Sequence, residues 1–319
     1  MSARRLPVTL LVLLLCACTA PAPGPTPTAP GPTSGPRVRQ VIDAGGSEML
    51  GMAIAGGAVW AISYQAGTLV KIDPGSGAVQ SRLSPGPGIA TVMATADALW
   101  VGAYGTPSSS RVYRIDPASG RVVATIEPGE VCCDLTEGGG SVWVVDPGGA
   151  VVRIDPATNK VVGRFPVTLD RNWHINAVYA GDSLWVASDP TPLTRIKVAD
   201  GTSQTVDTGG GVPFLARDGV VWGAKPAELW TIDAASGQVT RRIPIPGSIE
   251  VLSLALEGDS IWVGIRRSGR VGALVQLDAA TGAVRGELRD IDIPARIEVG
   301  FGSVWVTDSG GSSVFRVDA

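Results

Sequence analysis

Two short stretches concentrate the side chains able to do chemistry in this sequence of 319 residues. One is Pro128-Gly129-Glu130-Val131-Cys132-Cys133-Asp134, and the other is Asp170-Arg171-Asn172-Trp173-His174-Ile175-Asn176. Adjacent cysteines in an exported chain can close a vicinal disulfide, whose small ring strains the peptide between them. They can also stay two free or buried thiols. With His174 and Asp134 they could instead hold zinc, although adjacent cysteines are poorly spaced for chelation. The disulfide is the leading reading, and no residue is assigned as catalytic or metal-ligating. His174 is the sole histidine, which makes it the best general-base candidate near neutral pH. A loop histidine is more often a plain surface residue. Trp173 offers an indole face on which a ligand could stack.

A repeat must position these residues. A β-branched residue or leucine directly precedes Trp60, Trp100, Trp143, Trp185, Trp222, Trp262 and Trp305, at intervals of 40, 43, 42, 37, 40 and 43 residues. A period near forty over most of the chain marks a repeat architecture. Each unit reads as four short strands separated by Gly, Pro, Asp and Asn. The third turn recurs as Asp73-Pro74-Gly75-Ser76-Gly77, Asp116-Pro117-Ala118-Ser119-Gly120, Asp233 to Gly237 and Asp278 to Gly282. There the aspartate can accept backbone N–H groups and the last residue supplies a positive φ, so these acids form turns rather than bind metal. The last unit is one strand short, and Arg37-Val38-Arg39-Gln40-Val41-Ile42 can supply it. The expected fold is all-β: a seven-bladed β-propeller of four-stranded antiparallel blades, closed by the N-terminal strand at about 37–42. Trp230 falls at a packing position.

Counting back from the tryptophans locates the channel. Nine residues before them stand Gly51, Thr91, Asp134, Asn176, Pro213, Ser253 and Arg296. By period-two alternation these face the central channel, and their followers Met52, Val92, Leu135, Ala177, Phe214, Leu254 and Ile297 face the space between blades. A ring mixing Thr91, Asp134, Asn176, Ser253 and Arg296, extended by Glu298, could hold one small polar ligand or merely line a water-filled channel. Cys132 and His174 both lie eleven positions before their tryptophans, which makes them expected neighbours at the mouth. The ligand-binding set is thus Thr91, Cys132, Cys133, Asp134, Trp173, His174, Asn176, Ser253 and Arg296. From the loops after the tryptophans come Asp146, Lys225, Arg266, Arg267 and Asp308.

Charged residues make up 17% of the chain, and the net charge is −3, or −5 without Arg4 and Arg5. No basic patch suits nucleic acid. The excess of arginine over lysine reads as genome composition. Arg4 and Arg5 precede an apolar run from Leu6 to Leu15 that is too short to span a bilayer as a helix. It ends in Leu15-Cys16-Ala17-Cys18, which resembles the lipobox of bacterial lipoprotein signal peptides. That resemblance implies removal of residues 1–17 and acylation of Cys18; an ordinary secretory leader is the alternative. Seven prolines between Thr19 and Pro36 make 18–36 a stalk favouring polyproline II. Residues 37–319 are the propeller.

The Trp-Val units and the Ile-Asp-Pro-x-Ser-Gly turns resemble the propeller superfamily of streptogramin B lyase and YVTN-repeat surface proteins, over residues 37–319. The resemblance implies the fold rather than an activity. The expected function is a lipid-anchored module on the extracytoplasmic face of the cell membrane, binding a small polar ligand or a protein at the channel mouth. A monomer without cofactor is expected. Similarity to the lyase implies a histidine base with acidic residues holding Mg²⁺ near the last blades. Here units six and seven lack histidine, although Glu250, Glu257 and Glu298 are present. A third alternative is a relative of the pyrroloquinoline-quinone dehydrogenases, which the vicinal cysteines and the Asp278 turn resemble. Those enzymes normally have eight blades and a calcium site, against seven units here.

Overall fold

The computed structural model describes residues 35–106, 108–131, 134–171, 174–269 and 271–318. The leader, Cys18, nearly all of the stalk, Cys132, Cys133 and Trp173 therefore lie outside the described residues.

The described residues form seven four-stranded antiparallel sheets arranged in a ring, as the forty-residue period predicts. The innermost strands are Met49–Ala55, Ile89–Ala94, Leu135–Gly138, Ile175–Ala180, Val212–Arg217, Ser248–Glu257 and Pro294–Gly300, in blades one to seven. Each blade's second strand carries its tryptophan and is packed on both faces; Ala58–Ser63 is buried at every position. Continuous apolar sequence is the consequence. Outer strands bury one face only, so Lys160–Pro166 alternates along its length. The ring closes where Val38–Asp43 pairs with Ser313–Asp318, completing blade seven. Arg39 adds an ion pair to Asp318 across that seam at 2.8 Å. No helix among the described residues is long and apolar enough to cross a membrane.

The aspartate turns behave as the sequence implies. Asp73 Oδ1 accepts the N–H groups of Gly75 and Ser76, and Asp116 Oδ1 those of Ala118 and Ser119. These bonds lower both carboxyl pKa values. Gly77 and Gly120 follow at φ +73° and +72°, a region that favours glycine.

In five of the seven blades the tryptophan is clamped by a stacked cation, whereas in blade six Trp262 faces Gln276 and its indole N–H has no partner among the described residues. Trp60, Trp100, Trp143, Trp185 and Trp305 are fully buried. Each indole N–H donates to an oxygen five residues earlier, for example Trp143 to Gly138 O at 3.0 Å. Over each ring lies the cation of the residue directly opposite on the third strand: Lys71, Arg114, Arg153, Arg195 and Arg316, at 5.1–5.4 Å from the ring centroid. Four of these cations reach on to a carbonyl in the next blade's aspartate turn. Lys71 donates to Pro117, Arg114 to Pro156, Arg195 to Ala235, and Arg316 across the closure to Gly75. In blade five Thr231 stands opposite Trp222, and Arg241 on the outer strand donates to Ala279 instead. Much of the arginine excess thus has a structural use that composition does not reveal. Trp230 is fully buried, as its packing position predicts. Gly223 makes room for it, since a Cβ there would meet the ring at 2.1 Å.

Trp143→Ala is expected to cost about 3–5 kcal/mol through its cavity. Arg195→Met should cost about 1 kcal/mol, the usual worth of a cation stacked on an indole. Exposed Val123→Thr should stay within about 0.5 kcal/mol. Urea unfolding measures all three; an Arg195 variant no weaker than the Val123 one would show that the stacked cations are idle.

Candidate functional site

The innermost strands surround a channel cavity of about 700 Å³. Gly51, Thr91, Asp134, Asn176, Ser253 and Arg296 all line it, as the count from the tryptophans requires. Their followers Met52, Val92, Leu135, Ala177, Leu254 and Ile297 are buried between blades. Space for the side chains comes from the second strand. A Cβ on Gly102 would lie 2.6 Å from Thr91, and one on Gly264 would lie 2.3 Å from Ser253.

Blade five departs from the count. Pro213 pairs with Gly223 and Leu215 with Trp222, which leaves Phe214 as the extra residue of a bulge. In blade six the residue at the position of Pro213, Ser253, pairs two beyond its tryptophan, with Gly264. Proline has no N–H for the ladder, and bulges are where strands admit it. The expectation for this pair is therefore corrected: Phe214, not Pro213, joins the cavity wall.

The charged side chains converge from opposite sides of the ring. Arg296 on blade seven lies 3.3 Å from Glu298 on its own strand and 3.9 Å from Asp134 of blade three, a bridge across the channel. Burial raises the Asp134 and Glu298 pKa values, against the pull of Arg296. Burial also opposes the charge on Arg296, but Asp134 and Glu298 more than offset it, and its pKa rises. A second cavity, about 630 Å³, shares these three residues and is bordered by Glu137 and Tyr179.

His174, Glu250, Arg266 and Tyr104 also line the main cavity. Arg266 is paired to Glu250 at 2.8 Å on the neighbouring strand, so it is neither free nor simply solvated. The His174 ring meets Phe214 edge-on at 6.1 Å. The residue is exposed where it borders the cavity, with protein enclosing part of its ring. That enclosure lowers the imidazole pKa, with Glu250 and Asp189 pulling the other way. His174 is thus held neutral, able to accept a proton or a hydrogen bond.

Of the remaining candidates, Ser253 gives its hydroxyl to Pro294 O at 2.8 Å and so joins blades six and seven. Asn176 is 8% exposed, and its amide has no partner among the described residues. Asp146, Lys225 and Arg267 are occupied by Arg164, Glu228 and Glu287. Asp308 accepts the N–H groups of Ile293 and Gly310. Cys132, Cys133 and Trp173 lie outside the described residues, and with them the disulfide, the zinc alternative and the stacking surface. Among the described residues no three His, Cys, Asp or Glu side chains are grouped as for a metal. The pair Glu250–Arg266 and the ring of Phe214 are the parts of the wall that the count did not place. Pro213 was the available signal for the latter.

No protein-family model matches the chain, and no curated protein matches it in sequence. Solved structures do match in shape. A streptogramin B lyase structure superposes with a TM-score of 0.69 at 16% identity, over 86% of this chain and 94% of its own. The computationally designed Ika8 protein gives 0.64 at 12% identity, over 86% and 98%. The chain is a seven-bladed β-propeller similar in fold to the streptogramin B lyase structure. The likeness is one of fold. A designed protein shares the shape, and activity on such scaffolds resides in the loops and channel.

Arg296→Met would leave buried Asp134 and half-buried Glu298 without their shared cation. Breaking a buried pair costs about 3–5 kcal/mol, and the partial opening of this guanidinium to the channel reduces that to about 1–3 kcal/mol at pH 7. A carboxyl whose folded pKa lies above its unfolded value gains stability as pH falls through the folded value. The deficit at pH 7 should therefore shrink at acid pH, as the two acids take up protons. Urea unfolding at both pH values checks this; a deficit independent of pH would mean that Arg296 acts by packing alone.

Proposed function

We propose that this propeller is the binding domain of a lipid-anchored extracytoplasmic protein and takes a small polar ligand in its channel. The observation carrying the ligand site is Asn176. Its amide makes no hydrogen bond among the described residues and borders a cavity large enough for a small molecule, so its donors and acceptor are available to a ligand there. The mixed wall supports the reading: hydrogen-bonding and charged groups fix orientation while Phe214 and Leu252 supply apolar surface. The anchor rests on sequence, namely Arg4-Arg5, the short apolar run and Leu15-Cys16-Ala17-Cys18. Residues 19–36, extended at about 3 Å each, would hold the ring roughly 50 Å from the bilayer.

Elimination chemistry is a second reading, suggested by the name of the similar lyase and by one observation. His174, held neutral, lines the same cavity as Glu250. Mass spectrometry of a bound compound after incubation separates the readings: a binding module returns it unchanged, and an enzyme does not.

A thermal-shift screen spanning amines, acids, sugars, quinones and peptides tests the site. A ligand at a hundredfold excess over Kd stabilises by about 2.7 kcal/mol, enough to move Tm by several degrees. Asn176→Leu should abolish that shift. A screen in which nothing shifts Tm would contradict the proposal.

The anchor has its own test. Cys18→Ala should remove acyl mass from the mature chain and release it from the membrane fraction. Retention of the unacylated chain in that fraction would contradict a lipid anchor.

A further inference from the structure

We infer that the ligand of the channel carries a protonated amine or guanidinium, received by Asp134 with Asn176 beside it. This deepens the binding-module reading and rests on it. Asp134 is only 7% exposed. Its Oδ1 accepts one hydrogen bond, from its neighbour Leu135 N–H at 2.9 Å. Arg296 stands 3.9 Å away, beyond hydrogen-bonding distance. A carboxylate has about four lone-pair sites, and no further partner for this one exists among the described residues. Asn176 occupies the same register on the neighbouring blade and is equally buried, and its amide has no hydrogen-bond partner among the described residues. Two largely buried polar side chains thus border one cavity with hydrogen-bonding capacity left over, open to a ligand or to water.

Charge selects among ligands. A single guanidinium, Arg296, serves two carboxylates, Asp134 and Glu298. Arg266 is occupied by Glu250, and His174 is held neutral. Arg217, exposed at the opposite end of its strand, lines the same cavity, so over the whole cavity three guanidiniums face three carboxylates. The selection is therefore local: Arg296 hydrogen-bonds Glu298 and stands 3.9 Å from Asp134, which leaves Asp134 without a charged hydrogen-bond donor among the described residues. An ammonium would supply the donors missing at Asp134, which an anion cannot. Phe214 and Leu252 in the same wall suit an apolar body behind it.

Calorimetric titration of the full chain with 2-phenylethylamine, 2-phenylethanol and 3-phenylpropionate, similar in shape but different in charge, tests this. The amine should bind at least about tenfold more tightly than the others, the worth of one hydrogen bond to a charged group. Asp134→Asn, which keeps the shape, should erase that preference without abolishing binding of the alcohol. Asn176→Leu should weaken amine and alcohol alike. Preference for the acid, equal affinity for all three, or an amine preference surviving Asp134→Asn overturns the charge assignment and leaves the channel as a ligand site. Binding of none of the three, by protein whose urea unfolding is cooperative, overturns both the assignment and the ligand site.

Discussion

Four of the seven joints in this ring depend on a cation sandwiched between an indole and the next blade. The tryptophan on the second strand buries its ring and anchors its N–H five residues back. The basic residue opposite covers its face, and its far end grips a carbonyl in the adjacent aspartate turn. One contact thus fixes the blade internally and sets its angle to its neighbour. Arg316 repeats it across the closure by holding Gly75, so the seam between the chain ends is bound like three other joints. Where Thr231 replaces the cation, Trp222 is less buried, and Arg241 takes over the grip from the outer strand.

A repeated joint frees the channel to vary. With blades held alike, each innermost strand presents the same register position to the axis, and identity there has little bearing on the packing between blades. Threonine, aspartate, asparagine, serine and arginine therefore coexist at one level. Arg296 and Asp134 meet only because the ring brings blade seven opposite blade three. Their electrostatics are those of a low-dielectric interior, where burial raises carboxyl pKa values and unmade hydrogen bonds are expensive. The same rigidity that makes the scaffold indifferent to function makes an unfilled site conspicuous.

The architecture was plain in the residues because the tryptophan period, the aspartate turns and the missing last strand are all local patterns. The register count carried that into the channel for six blades. It failed at Pro213, because a bulge inserts a residue without changing the composition around it. The stacked cations were legible and went unread: Lys71, Arg114 and Arg153 each directly precede an Ile-Asp pair, a signature of the third strand's end. The bridge from Arg296 to Asp134, 162 positions apart in sequence, has no local pattern and depends on ring closure. Nor could sequence show that Arg266 is matched by Glu250 while Asn176 has no match, since both facts depend on which side chains come within reach.

A crystal structure of the protein grown with 2-phenylethylamine bears most directly on the account. The account predicts the ammonium nitrogen within hydrogen-bonding distance of the Asp134 carboxylate, beside the Asn176 amide, with the phenyl ring against Phe214. A channel holding no amine, with Arg296 instead hydrogen-bonded directly to Asp134, would contradict it.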